Sequence, residues 1–278
     1  MNIGIRLHDT APGTLRERLG FARDQGFTCT HLALSKAMDG FRMDDAPALL
    51  TDALAEEVRG ALEETGIECA VLGCYLNLAD PDGERRRHTQ EIYQAHLAFA
   101  KKIGARMVGT ETYANPESRF TTAASESEEA YRLFLEGLRP VARFAEEADA
   151  VLAVEPVSYH IISTPERAER MLNDIGSDHV KIILDAVNLL VPGQEELAEE
   201  RVADAIRRLG DRIIMLHMKD YIPLEGKTKS VACGTGHMRY EQLLRFARER
   251  NLPMTLEDTV PENAEQARLC LERIGAAL

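Results

Sequence analysis

Four side chains of strong metal-ligand type, Glu155, Asp185, His217 and Glu257, stand at the ends of short apolar runs in the second half of the chain. The sharpest case is "VLAVEPVSYH", residues 151–160, where a carboxylate interrupts a run that otherwise reads as a buried strand. Desolvation penalises an unpaired buried carboxylate, so Glu155 must be paired, bound to a cation, or set at the strand's mouth. Three carboxylates and one imidazole would make a hard, oxygen-rich site for one divalent cation, Mn²⁺ first, with Co²⁺, Mg²⁺ and Zn²⁺ as alternatives. Each residue taken singly has an ordinary reading as well. A carboxylate at a strand end is often a helix cap or half of an ion pair, and a lone His is often a satisfied core residue. Four such accidents on four consecutive strands are less frequent than one shared cation, which would also offset the repulsion of clustered carboxylates.

The elements that must position these residues recur along the whole chain. Strand-like runs at 2–7, 29–34, 69–78, 106–112, 151–157, 180–185, 212–220 and 253–258 alternate with amphipathic stretches. Most are continuously apolar, as strands buried on both faces should be. Helix punctuation agrees: "STPERAERMLNDIG" offers Ser163 or Thr164 as N-cap, Pro165 in the first turn and Gly176 as a stop, and Gly104 and Gly210 close two further helices. Eight such units predict a single (β/α)₈ TIM barrel over residues 1–278, with the strand C-termini converging on one face. The competing doubly wound sheet would want a Gly-rich turn after its first strand, and "RLHDTAPGT" holds only Gly13. Two long segments, 113–125 and 221–237, read as irregular and follow strand ends, where barrel loops act as lids or binding segments.

Composition narrows the partners. With 33 Lys+Arg against 46 Asp+Glu, the formal charge of −13 repels nucleic-acid phosphates and anionic membranes. Five cysteines without a C-x-x-C pair suit a reducing compartment. The N-terminus opens on strand-like sequence and no long apolar run follows, so the expectation is a cytoplasmic protein without a membrane partner.

"VEPV", "VKIILDAVNLL", "MLHMKD", the following "GTG" and "TLED" together resemble the sugar phosphate isomerase/epimerase family with the xylose-isomerase-like barrel. That family includes ketose 3-epimerases, inosose dehydratases, hydroxypyruvate isomerases and, more distantly, endonuclease IV. The resemblance implies a metal quartet of Glu155, Asp185, His217 and Glu257, with Glu155 and Glu257 also moving protons. It also implies a small carbohydrate substrate and a homo-oligomer, dimer or tetramer. Two sugar contacts of the ketose 3-epimerases are not reproduced: Asn188 stands where they carry a His, and "HMKDYIP" lacks their Arg.

Around the quartet, His8, Asn188, His160, Lys219 and His237 are candidate substrate contacts. Each has an alternative: His160 could cap the following helix, Lys219 could pair with Asp220, and the glycine turn before His237 could bind an anion or be an ordinary turn. Arg6, Lys36, Asn77, Glu111 and Tyr113 could line the same mouth, while His88, His96 and His179 are expected at the surface. The chemistry expected is that of an isomerase or epimerase. A divalent cation chelated by a carbonyl and its neighbouring hydroxyl acidifies the α C–H and stabilises the enediolate, while two carboxylates move the proton. A leaving group at the β carbon would turn the same start into elimination, as in keto-inositol dehydration or cleavage of a 3-keto glycoside. A DNA-repair endonuclease fits poorly, because that branch needs additional His ligands and must hold a phosphate backbone. A catalytically dead binding barrel would not need four metal-ligand residues at strand ends.

Overall fold

The computed structural model describes residues 1–113 and 125–278. Ten strands are present among these: β1 (Ile3–Arg6), β2 (Cys29–Leu32), β3 (Glu68–Gly73), β4 (Val108–Thr110), β5 (Leu152–Val154), β6 (Val180–Asp185), β7 (Ile213–Met218), β8 (Asp220–Leu224), β9 (Lys227–Val231) and β10 (Met254–Leu256). Eight of them close a parallel barrel in the order β1-β10-β7-β6-β5-β4-β3-β2. Each sequence run holds one barrel strand, so the TIM barrel expected from the alternation of apolar and amphipathic stretches is the fold observed.

Two apolar layers hold it together. Inside the ring, Cys29, Val71, Met107, Ala153, Ile183 and Met215 form the plug. Outside it, helices lay apolar stripes on the strands. In the helix Glu128–Glu147, Tyr131, Phe134, Leu138 and Val141 recur at helical spacing and are buried, each such side chain contributing about 1.5–3 kcal/mol. Thr164 accepts from the Arg167 N–H and Pro165 follows it, so Thr164 rather than Ser163 is the N-cap. Gly104 and Gly176 end their helices in the left-handed region. Gly210 also ends a helix but stays right-handed, at φ −52. A Cβ there would lie 2.6 Å from the Ile206 carbonyl, so crowding rather than left-handed backbone asks for glycine.

Two further expectations are corrected. The segment 221–237 is not irregular throughout, because β8 and β9 pair as an antiparallel hairpin turned at Gly226, φ 71. Its strands are largely exposed at the tip, so no apolar alternation announces them. His96 is buried, on the same helix face as Ile92, Tyr93 and Leu97, with its Nδ1 on the Ile92 carbonyl. Of the other long segment, 113–125, residues 114–124 lie outside the described residues. Among the described residues no helix is long and apolar enough to cross a membrane.

Candidate functional site

Side chains alternate faces along a strand. Two residues beyond the plug positions Cys29, Val71, Ala153, Ile183 and Met215, the inner face carries His31, Gly73, Glu155, Asp185 and His217. Arg6 at the end of β1, Glu111 just after β4 and Glu257 just after β10 belong to the same end of the ring. The ladders fix the neighbours: Asp185 pairs with His217, Thr255 with His217, and Arg6 with His31. The four candidate ligands are therefore brought together, and all four are buried.

Their contacts are close. His217 Nδ1 lies 2.9 Å from Glu155 Oε2 and 3.3 Å from Glu257 Oε1, yet neither ring nitrogen of His217 makes a hydrogen bond among the described residues. A buried imidazole nitrogen facing two carboxylates without a well-aligned hydrogen bond leaves donor atoms that a cation could satisfy. One atom each from Glu155, Asp185 and His217 falls within a 4.8 Å cluster, and so does one each from His31, His217 and Glu257. The donor set fits a divalent cation. Asp185 Oδ1 accepts from the backbone N–H of Val187 and Asn188 at 2.9 and 3.1 Å, which fixes its orientation.

The charges around these groups are uneven. Burial, then the charge of Glu257, pushes Glu155 up to about 8. Burial also raises Asp185, to about 6, with Lys219 opposing. Burial works in the same direction on Glu257, but the positive charges of His217, Lys219 and Arg6 and a contact with His31 overcome it and hold this carboxyl well below its ordinary value. Burial pushes Glu111 up to about 8, with the charge of Glu155 adding to it.

The other candidates fall in three groups. His8, Lys36, Glu111 and Tyr113 line a cavity of about 370 Å³ together with Arg6, His31, Tyr75 and Glu257. Asn188 donates to Glu155 Oε1, and His160 is buried with Nδ1 3.7 Å from Glu111 Oε2 rather than capping a helix. Asn77 Oδ1 is occupied by the Ala79 N–H. Lys219 and Asp220 do not pair. Lys219 Nζ bridges Asp185 Oδ2 at 2.9 Å and Glu257 Oε2 at 3.3 Å, while Asp220 accepts from the backbone N–H of Tyr221, Gly234, Gly236 and Met238. Because both glycine amides point at Asp220, the "GTG" turn is a structural loop and not an anion cradle. His237 is set apart: it is exposed and lines a separate depression with Glu195, Glu199 and Tyr221.

His31 and Tyr75 escaped the sequence reading. His31 is buried, its ring stacked on His217 with centroids 5.2 Å apart, and its Nε2 is 3.1 Å from the Tyr75 hydroxyl. Gly73 leaves room for both rings, since a Cβ there would meet each at 2.8 Å. The available signal was positional: His31 follows Cys29 by two, as His217 follows Met215.

The family model described as xylose isomerase-like TIM barrel matches residues 19–274. Over 178 residues the chain is 28% identical to a D-psicose 3-epimerase of Enterocloster bolteae, covering 63% of this chain and 54% of that relative, so the match spans little more than half its length. Among solved structures, the 3-keto-D-glucoside 4-epimerase YcjR from E. coli superimposes with a TM-score of 0.77 at 18% identity over 98% of this chain and 99% of that one. The IOLI protein with a binding zinc atom gives 0.73 at 18% identity over 100% and 97%.

Proposed function

Because this chain belongs to the xylose isomerase-like TIM barrel family, we propose that it is a divalent-metal-dependent enzyme that moves a proton through an enediolate on a small keto- or aldo-sugar, as an isomerase or epimerase. The observation that carries this reading is the convergence of Glu155, Asp185, His217 and Glu257 from four strands, with an imidazole nitrogen facing two carboxylates. The epimerase relatives on the same scaffold support it. A divalent cation held by these four would supply Lewis acidity to a substrate carbonyl and its neighbouring hydroxyl.

The chain's own residues do the rest. Glu257 and Glu155, which approach the same His217 nitrogen, form the proton-transfer pair: one takes the proton from the substrate carbon and the other returns one to the other face or the adjacent carbon. Asp185, fixed by two backbone amides, serves as ligand only. Asn188 orients Glu155, and Lys219 spans Asp185 and Glu257.

Glu111 favours a second reading. It is a further carboxyl held up to about 8 on the cavity wall, with His160 against it, and it could protonate a leaving group in an elimination. Incubation of the metal-loaded enzyme with ketoses, aldoses and keto-inositols in D₂O, followed by NMR, distinguishes the two. Deuterium at one sugar carbon with a new isomer supports proton transfer, and loss of water or of an aglycone supports the lyase. Exchange with none of these substrates, by a protein that also takes up no metal, overturns both. Glu257→Gln should lower kcat by about 10²–10⁴-fold, and full turnover by that variant would sink its assigned role.

A further inference from the structure

His31 stands in the same layer as the four proposed ligands, and neither the family resemblance nor the proton transfer above makes use of it. It is 3% exposed. Its Nδ1 has no hydrogen-bond partner among the described residues and faces Glu257 Oε1 from 3.6 Å, the same oxygen that His217 Nδ1 approaches to 3.3 Å. The two imidazoles are parallel to within 7°. One atom each from His31, His217 and Glu257 lies within 4.8 Å of the others, the spread found for Glu155, Asp185 and His217. The far nitrogen of His31 is held by the Tyr75 hydroxyl at 3.1 Å. A metal-ligating histidine is usually oriented in this way, with one nitrogen fixed by a hydrogen-bonding group and the other left for the cation.

We infer that His31 is a further ligand of the divalent cation proposed for the Glu155, Asp185, His217 and Glu257 site, so that the centre binds through two imidazoles and three carboxylates. This rests on the cation reading given above. The second imidazole changes the metal selected. Oxygen donors alone suit Mg²⁺ and Mn²⁺, whereas each added imidazole favours Zn²⁺, Co²⁺ and Cu²⁺. The expected order of affinity in this protein is therefore Zn²⁺ and Co²⁺ ahead of Mn²⁺, with Mg²⁺ last. The site also differs in kind from a quartet with a single histidine, because removing His31 should shift metal preference and not merely loosen the pocket.

The full chain, stripped with EDTA and loaded with one equivalent of Cu²⁺, tests this by pulsed EPR, which counts coordinated imidazoles from the modulation of their remote nitrogens. Two imidazoles are expected in the wild type and one in His31→Gln. His31→Phe keeps a ring against His217 and should also give one, which guards against a poorly folded Gln variant. In a chelator competition, His31→Gln should bind Zn²⁺ about 10–100-fold more weakly with Mg²⁺ binding nearly unchanged. One imidazole in the wild type overturns the assignment of His31 and leaves the cation site standing, with His31 then acting on Glu257 or on substrate. Two imidazoles persisting in both variants also overturns it, because the second then comes from another histidine. Failure of the wild type to take up stoichiometric Cu²⁺ removes the cation reading itself.

Discussion

Glu155 and Glu257 share one imidazole nitrogen yet are driven apart in charge, and the difference is measurable through pH. Glu155 and Glu111 are both pushed from 4.5 up to about 8, chiefly by burial. Between those values the folded, metal-free chain keeps protons that the unfolded chain has released. The stability they contribute is thus full below the ordinary carboxylate value and is lost as pH rises through about 8. His8 and His96 work the other way, since burial lowers them to about 3 and about 4, so their contribution grows as pH rises toward 6.5 and is constant beyond it. EDTA-treated protein should therefore show a melting temperature that falls from pH 6.5 to 8.5, and Glu155→Gln should reduce the fall. A flat or rising profile would show that these carboxyls are not held protonated. Because a ligand must shed its proton to bind, metal affinity should rise over the same interval.

The hairpin β8–β9 and the loop after it are organised by one carboxylate. Asp220 accepts four backbone N–H groups, from Tyr221, Gly234, Gly236 and Met238, over distances of 2.7–3.1 Å. Asp258 ties the hairpin to the barrel. It sits at φ 55, in the left-handed region, taking Arg6 Nη2 on one oxygen and Ser230 Oγ on the other. Such backbone persists only where surrounding contacts hold it, and it directly follows the ligand candidate Glu257. Asp220→Ala strands several donors at once and should cost on the order of 2–4 kcal/mol, read as a lower urea midpoint with faster proteolysis between residues 227 and 236. Unchanged stability would mean that the loop is ordered by something else. None of this was legible in "HMKDYIP", because the partners of Asp220 lie up to 18 positions downstream and no local pattern joins them.

At the scale of the whole molecule, a cation bound by residues from four or five barrel strands must couple to global stability. A ligand that binds only the folded state stabilises it by about 2.7 kcal/mol at a hundredfold excess over its dissociation constant. Saturating Zn²⁺ or Co²⁺ should raise the melting temperature of the EDTA-treated protein by several degrees, and Asp185→Asn should abolish most of that gain. No shift with any of Zn²⁺, Co²⁺, Mn²⁺ or Mg²⁺ would remove the cation from the account.

The sequence by itself determined the alternation of apolar runs and amphipathic stretches, and with it the barrel, because burial on both faces and helical spacing are written in neighbouring residues. It also marked Glu155, Asp185, His217 and Glu257, whose types conflict with the apolar strands they end. His31 and Tyr75 carry no such conflict: a histidine two residues into a short run looks like an ordinary polar strand end. Only ring closure brings residue 31 against residues 217 and 257. The register that does so includes irregularities beside His31 in the β2–β3 ladder and ahead of Asp185 in the β6–β7 ladder. A strand's two-residue alternation is local, whereas the facing of eight strands across a barrel depends on every register between them, and those registers exist only in the closed tertiary structure.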